Sequence, residues 1–426
     1  MKLRVMRPVM AMAIAGLAVG GASAEQPFVG VTLGVSLVAN ELVDDVILPN
    51  LPEFEERTGI KVNLDPIAFG NLHEKQVMEL AGGSGAYDVL LLNDVWVSEY
   101  AAAGFLLPLT PQMEEGYADA YYPDVLSIGA YEGEQYAIPQ RLNAFGMVYW
   151  KTALEESGLS VPQTWEEMLS AAEQLTDGQR YGMALAARRG PAAAAIWESL
   201  LLSAGGSVFA DDGRPQINSA ESVAALEYFA KLVALSPVGS TAWHWPEARA
   251  ALAEGIAAIH LGGVAVISSM DDADVTRHPG EYAIAPMPVP EARLGEPSKT
   301  LITVYNWAVS AQTPHPEAAV EFVKWITGEE MERLHARANA RVPIESSRIG
   351  YYTDPVVLEA RPIAEVLQRM AADSTPSPLI ADWPEIQSEL ALRLSEVFLG
   401  EKSAEAALNE AQAAAEQILE RSGYFN

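Results

Sequence analysis

The chain contains no cysteine among its 426 residues. Disulfide bonds are therefore excluded, and an exported protein of this composition must gain its stability from a sizeable hydrophobic core. A lipid anchor on a cysteine behind a leader peptide is excluded for the same reason. Hydrophobic residues make up 50% of the chain, which suits such a core and is not the composition of a disordered protein.

Basic residues are also scarce, with 27 Lys and Arg against 57 Asp and Glu, for a net charge of -30. Binding to a phosphate backbone needs a basic face, so nucleic acid is not an expected partner. The six histidines show neither close pairing nor the spacing of metal ligands. We therefore expect no metal and no cofactor.

Long apolar runs are missing after the N-terminus. Near the N-terminus, residues 9–19 form a short apolar run that follows a basic stretch. The small residues at 22–24 have the pattern that signal peptidase cleaves. A transmembrane helix would need about 20 apolar residues. The sequence thus predicts a signal peptide over residues 1–24, cleaved between Ala24 and Glu25. We expect a freely diffusing periplasmic protein and not a lipoprotein.

The remaining chain alternates between strand and helix patterns. Residues 28–35 and 60–64 are apolar at every second position and predict strands, while the helical pattern between them, 41–58, ends at Gly59 as at a C-cap. The continuous apolar run at 87–92 predicts a buried parallel strand. Strands and helices in this order indicate helices flanking a parallel sheet.

The alternation continues downstream. Thr164 and Glu167 have the spacing of a capping box at the start of a helix. The tail, residues 403–421, is rich in Ala, Glu and Gln and predicts a solvent-facing helix. About 400 residues remain after the signal, which is too many for one core and enough for two lobes.

Several segments together resemble the family 1 extracellular solute-binding proteins, the group that includes maltose-binding protein. Each match is loose by itself, but the matches follow the family's order and spacing over essentially the whole mature chain. The most similar segment begins with Tyr87-Asp88-Val89 and runs through Asn93-Asp94-Val95-Trp96. Residues 99–101 and 104–109, which follow it, belong to the same match. The other segments are 54–62, 133–139, 149–151, 162–169, 282–288 and 316–328.

The resemblance implies the α/β fold of a periplasmic binding protein, in which two discontinuous α/β lobes are joined by three hinge crossings around a ligand cleft. A ligand favours the closed form through its higher affinity for that form. The implied boundaries are residues 25–138 and 287–337 for the first lobe, and 139–286 and 338–426 for the second. The implied crossings lie near residues 138–143, 285–288 and 338–342.

A carbohydrate site needs flat aromatic faces and planar polar side chains. Asn93, Asp94 and Trp96 follow the predicted strand at its carboxyl end, where open α/β sheets bind ligands. The alternative is a helix cap with a tryptophan in the core. Maltose-type members carry an acidic residue where this chain has Asn143, so maltose itself is not implied.

The other candidates lie where the family places its cleft. Polar residues of the first crossing could contact ligand or satisfy backbone groups at the hinge, and Arg188 could reach the cleft or lie on the surface. The aromatic candidates could stack on a sugar or pack in the core. A glycine would allow close approach of the backbone or form an ordinary turn. The candidates are Gln140, Arg141, Asn143, Arg188, Trp243, Trp245, Gly263, Asn306, Trp307 and Trp383.

We therefore predict the solute-capture subunit of an ABC importer, a monomer and not an enzyme, that delivers a monosaccharide, disaccharide or sugar alcohol to a membrane permease. One alternative is an anionic sugar held by Arg141 with Arg188 or Arg189. A periplasmic carbohydrate-active enzyme is a further alternative, because many acidic residues are present. The chain has no nucleophile elbow, zinc-helix motif or metal-binding loop.

Overall fold

The computed structural model describes residues 26–40, 42–337, 345–360 and 363–425. The predicted signal peptide and the predicted third crossing lie outside these residues. Within them, no helix combines the length and the apolar character needed to cross a membrane.

Twelve strands are present in the described residues: β1 Thr32–Val38, β2 Lys61–Ile67, β3 Val89–Asn93, β4 Ala130–Tyr131, β5 Glu134–Gln135, β6 Ala137–Trp150, β7 Tyr181–Met183, β8 Ala257–Gly263, β9 Tyr282–Ala285, β10 Thr300–Val309, β11 Glu345–Ser346 and β12 Ser374–Pro376. The α-helices of the same residues are α1 Leu48–Thr58, α2 Phe69–Ala81, α3 Val97–Ala102, α4 Pro123–Ser127, α5 Lys151–Glu156, α6 Trp165–Leu175, α7 Pro191–Ser203, α8 Ala220–Ala234, α9 Trp245–Ala253, α10 Pro316–Ile326, α11 Glu329–Arg337, α12 Pro355–Ala360, α13 Ala364–Ala372, α14 Trp383–Phe398 and α15 Ala404–Ser422.

Ten strands form one mixed sheet with the backbone order β2-β1-β3-β10-β6-β8-β7. The α/β prediction is confirmed. Strands β1, β2 and β3 pair in parallel, as their connections through helices require. Strand β10 is antiparallel to β3 and to β6, so the sheet is mixed where the sequence pattern suggested a parallel one.

The long strand β6 belongs to both ends of this sheet. Its residues 137–144 pair with β10, whereas residues 145–150 pair with β8 and β9. We call β1, β2, β3, β10 and the first part of β6 the first half-sheet. The second part of β6 with β7, β8 and β9 is the second half-sheet. The backbone thus passes from one half-sheet to the other without a loop.

Local signals in the sequence are reproduced with shifts of a few residues. Thr164 and Glu167 form the predicted capping box, in which the Glu167 N–H donates to Thr164 Oγ1 over 3.1 Å. Gly59 caps α1 with a left-handed φ of 80°. The predicted helix 41–58 is instead a π-helical turn, Val43–Ile47, followed by α1. Prolines near this junction lack the amide hydrogen that a regular α-helical turn needs.

The C-terminal helix differs from its prediction. Helix α15 buries one face, including Leu408, Ile418 and Leu419, and it packs on α14. Alanine-rich helices carry a weak apolar signal, because small side chains allow close approach without large apolar area. The tail is therefore part of the core and not a solvent-facing helix.

Candidate ligand-binding site

A cavity of about 530 Å³ lies where the two half-sheets meet. Strands β3, β6, β8 and β10 and helices α2, α7 and α9 all contribute to its wall. The predicted site residues that line it are Asn93, Asp94, Arg141, Asn143, Trp245 and Gly263.

Asp94 presents a buried carboxyl group at the end of β3. Asp94 is the first residue of a short 3₁₀ turn, and it is only 2% exposed to solvent. The Val304 N–H donates to Oδ2 over 3.3 Å, whereas Oδ1 has no partner among the described residues. Burial raises the pKa of Asp94 to about 7. A buried acceptor without a partner favours a ligand that donates a hydrogen bond.

The floor of the cavity comes from alternate residues of β6. Arg141, Asn143 and Phe145 share one face of the strand, as the period of two requires. The Arg141 guanidinium lies over the Tyr305 ring, 5.2 Å from its centroid. Asn143 Oδ1 accepts a hydrogen bond of 3.2 Å from the Ala265 N–H, which holds the floor against the segment after β8.

Aromatic rings form two walls. Trp245, at the start of α9, meets Phe145 edge to face with 5.8 Å between the ring centroids. On the other side, Phe69 lies 6.3 Å from Tyr305. Flat apolar faces beside planar polar groups match the two kinds of surface that a sugar or polyol presents, its C–H groups and its hydroxyls.

His260 adds a neutral acceptor to the wall. Its Nδ1 lies 2.7 Å from the Ala184 carbonyl oxygen, and a carbonyl can only accept. Nδ1 therefore carries the proton, which leaves Nε2 as an acceptor. Burial lowers the pKa of His260 and keeps the ring uncharged.

This architecture agrees with comparisons to known proteins. The family model of the bacterial extracellular solute-binding proteins matches residues 39–333. The chain belongs to this family. Its fold is that of the periplasmic binding proteins, with two discontinuous α/β lobes around a ligand cleft.

Characterised relatives cover most of the chain at low identity. An erythritol/L-threitol-binding protein of Mycolicibacterium smegmatis is 24% identical, over 72% of this chain and 67% of its own. A mannitol-binding protein of Pseudomonas aeruginosa is 24% identical, over 83% of this chain and 85% of its own. A solute-binding protein of Agrobacterium radiobacter solved with ribitol is 28% identical, with a TM-score of 0.83 over 92% of this chain and 100% of that one.

The solute-binding fold places the other predicted residues away from the cavity. Gln140 and Trp307 bond to each other in the core, where the Trp307 Nε1–H donates to Gln140 Oε1 over 2.7 Å. Trp383 is fully buried, and Trp96 stacks behind Phe69. The Gln140 and Trp307 side chains lie against α10 and not in the cleft: Gln140 Nε2–H donates to the Ile326 carbonyl over 2.7 Å, and the Trp307 ring meets Phe322 edge to face.

Three further predicted residues also lie outside the cavity. Asn306 is fully buried within β10, and its Nδ2 donates to the Val304 carbonyl over 3.2 Å. Arg188 is exposed, as the surface alternative predicted. Trp243 packs against small buried residues such as Ala184 and Ala251. Arg188 and Trp243 thus match their surface and packing alternatives, whereas Asn306, expected to contact ligand, is buried in β10 and does not line the cavity.

Several residues of the cavity were not among the candidates. Phe145 continues the alternation of Arg141 and Asn143 along β6, so the strand period could have identified it. Arg249 follows Trp245 by four residues on α9, so the helical period could have identified it as well. His260 and Thr303 also line the cavity, and Asn40, Phe69 and Ser377 do so from segments that contain no candidate.

Ionisation of Asp94 should make the free energy of unfolding depend on pH. The folded pKa of about 7 lies above that of an unfolded aspartate, about 4, so the free energy of unfolding falls as pH rises between these values. Asp94→Asn cannot ionise, so its free energy of unfolding should not fall for this reason as pH rises. We expect the variant to exceed the wild type by up to about 4 kcal/mol at about pH 8 and to match it below about pH 4.

Urea unfolding across this pH range measures the difference. The exposed acid Asp211 provides the control, because Asp211→Asn should leave the pH profile of stability unchanged. Parallel profiles for Asp94→Asn and the wild type would contradict the burial of a raised-pKa carboxyl group.

Proposed function

We propose that this solute-binding protein captures a small neutral carbohydrate, above all a linear sugar alcohol, and delivers it to the permease of an ABC importer. The observation that carries the proposal is the pairing of aromatic walls, Trp245 and Tyr305, with the polar side chains of Asp94, Arg141 and Asn143 around one cavity. Its volume of about 530 Å³ is in the range of small-molecule sites.

The relatives support a polyol in particular. Proteins that bind erythritol or threitol and mannitol, and one solved with ribitol, are similar to this chain over most of its length. Linear polyols offer a hydroxyl on every carbon, and each hydroxyl both donates and accepts. The cavity has acceptors in Asp94 and His260 and donors in Arg141 and Asn143, so both capacities can be met.

Export, hinge closure and release of the unchanged ligand complete the proposed transport function. The chain would be exported by the signal peptide of residues 1–24 and act in the periplasm as a monomer. The lobes, with residues 25–138 and 287–337 in the first, would close around the ligand and return it chemically unchanged. The family consists of binding proteins, which supports a transport role over catalysis.

An anionic sugar is the second candidate. Arg141 and Arg249 both line the cavity and could neutralise a carboxylate or sulfonate. Arg188, which was expected to assist Arg141, is exposed and outside the cavity. An ionised Asp94, which lines the same cavity, would repel an anion. This arrangement favours a neutral ligand.

A thermal-shift screen tests the proposed ligand class. The purified protein would be melted with ribitol, mannitol, erythritol, glucose, maltose, glucuronate and amino acids. A ligand at a hundred times its Kd stabilises the native state by about 2.7 kcal/mol, which raises Tm measurably. We expect shifts from sugar alcohols, with the compound recovered intact. Shifts from glucuronate or amino acids alone would contradict the proposal.

Trp245 should contribute the stacking surface. Trp245→Leu removes a flat aromatic face, and a contact of this kind is worth about 1 kcal/mol, so affinity for the sugar alcohol should fall about fivefold. Trp243→Leu is the matched control, because Trp243 lies outside the cavity. Titration calorimetry measures both. Equal losses in the two variants would contradict a stacking role.

Gly263 should matter because it leaves room for Asn143. A Cβ atom at Gly263 would lie 2.0 Å from Asn143 Nδ2, while the backbone φ of -63° is acceptable for alanine. Gly263→Ala therefore displaces the amide, and we expect about tenfold weaker binding of the sugar alcohol. In a protein that already carries Asn143→Ala, Gly263→Ala should weaken binding of the sugar alcohol only slightly. Additive losses in the double variant would show that the clash is not the cause.

A further inference from the structure

A second buried acid lies behind the cavity wall. Glu198 is 3% exposed on α7, a helix that is buried along almost its whole length. The Ser377 hydroxyl donates to Glu198 Oε2 over 2.7 Å. Ser377 itself lines the cavity, as does Ala195 one turn before Glu198 on α7. Glu198 is thus separated from the ligand space by one hydroxyl group.

Glu198 has no positively charged partner in the part of the chain that the structure describes. The charge that acts on it is the negative one of Asp94, and burial with this repulsion raises the pKa of Glu198 to about 8. The helix packs against β6, β8, β10, α8 and α14. Their titratable groups are Arg141, Tyr149, His260, Tyr305, Glu221, Glu227, Tyr228, Lys231, Glu385, Glu389, Arg393 and Glu396.

The two acids are not equivalent. Asp94 accepts a hydrogen bond from the Val304 N–H, and its pKa is raised to about 7. Glu198 accepts from the Ser377 hydroxyl, and its pKa is raised to about 8. Two buried negative charges are unfavourable once a neutral ligand displaces water from the cavity. Of the pair, Glu198 is therefore the group that keeps its proton to the higher pH.

We propose that Glu198 keeps its proton in the ligand-bound protein and, through Ser377, sets the direction of a hydrogen bond to the ligand. The inference rests on the proposed capture of a neutral sugar alcohol. With Glu198 protonated, its O–H donates to Ser377 Oγ, and the Ser377 hydroxyl is released to donate to a ligand oxygen. With Glu198 ionised, Ser377 donates back to the carboxylate and offers the ligand only an acceptor.

Glu198 is therefore a positioning residue, and it makes capture dependent on pH. Displacing water from the cavity raises the pKa of Glu198 in the bound protein above that in the free protein. A group whose pKa is higher in the bound protein strengthens binding fully below its free-protein pKa. This gain in affinity is lost as pH rises through the bound-protein pKa. Affinity should hold on the acidic side of pH 8 and decline on the alkaline side.

The experiment is a pH series of calorimetric titrations with ribitol and mannitol. For the wild type we expect binding about fivefold weaker at about pH 9 than at about pH 7, the effect at that pH of a pKa that binding raises by about one unit from about 8. Glu198→Gln cannot ionise and can still hydrogen-bond Ser377, so its affinity should not vary over this range. Titrations in two buffers of different ionisation enthalpy should show proton uptake by the wild type at about pH 8 and none by the variant.

Two further variants separate the relay from a structural effect. Glu227→Gln changes an exposed acid on α8 and should retain the pH profile of the wild type. Ser377→Ala removes the hydroxyl, so it should bind weakly at about pH 7 and approach the wild type at about pH 9. Melting curves of each variant establish that it is folded.

The outcomes are distinct. A wild-type affinity that is independent of pH, or that rises towards about pH 9, would overturn this role of Glu198 while leaving polyol capture intact. A decline that persists in Glu198→Gln would overturn it as well. If no sugar alcohol binds at any pH to the folded protein, the proposed function fails and this inference fails with it.

Discussion

Backbone hydrogen bonding along β6 is the constraint on which the rest of the structure depends. One strand of 14 residues pairs with β10 in its first part and with β8 and β9 in its second. Arg141 and Asn143 are therefore held in position by the ladder to β10, and Phe145 is held by the ladder to β8. Arg141, Asn143 and Phe145 form a continuous floor for this reason, and the cavity sits where the partner strands of β6 change.

Polar groups at this junction set the chemistry of the site. Burial leaves Asp94 with one backbone donor and one oxygen without a described partner, and it leaves His260 as a neutral acceptor. Groups of this kind are costly inside a protein unless something binds them. The same low dielectric that makes them costly also makes a well-placed ligand hydroxyl valuable. Packing and ligand selection are thus two consequences of the same burial.

The sequence predicted best those features that depend on a few neighbouring residues. The capping box at Thr164, the C-cap at Gly59 and the buried strand β3 are all local, and the structure reproduces them. The position of Asn93 and Asp94 at the end of β3 followed from the same pattern. The burial of helix α15 is not evident from its composition, because most of its buried residues are alanine and only Leu408, Ile418 and Leu419 are large and apolar.

The sequence did not indicate which tryptophan side chains line the cavity. Trp245, Trp307 and Trp383 have similar polar neighbours along the chain, yet only Trp245 lines the cavity. Trp307 packs edge to face on Phe322 of α10, and Trp383 is buried at the start of α14. Which face of a strand or helix meets the cleft depends on how distant segments pack, and no local pattern contains that information.

The sequence by itself thus determined the class of the protein: an α/β chain without disulfides, acidic, and built in the order of the solute-binding family. Local hydrogen bonding and apolar periodicity act over a few residues, so they can be read from the chain. The tertiary structure decided which polar and aromatic groups share one cavity and which buried acid stands behind it. Asp94, Ser377 and Glu198 are far apart in sequence, and only the packing of α7 and β12 around β10 brings them together.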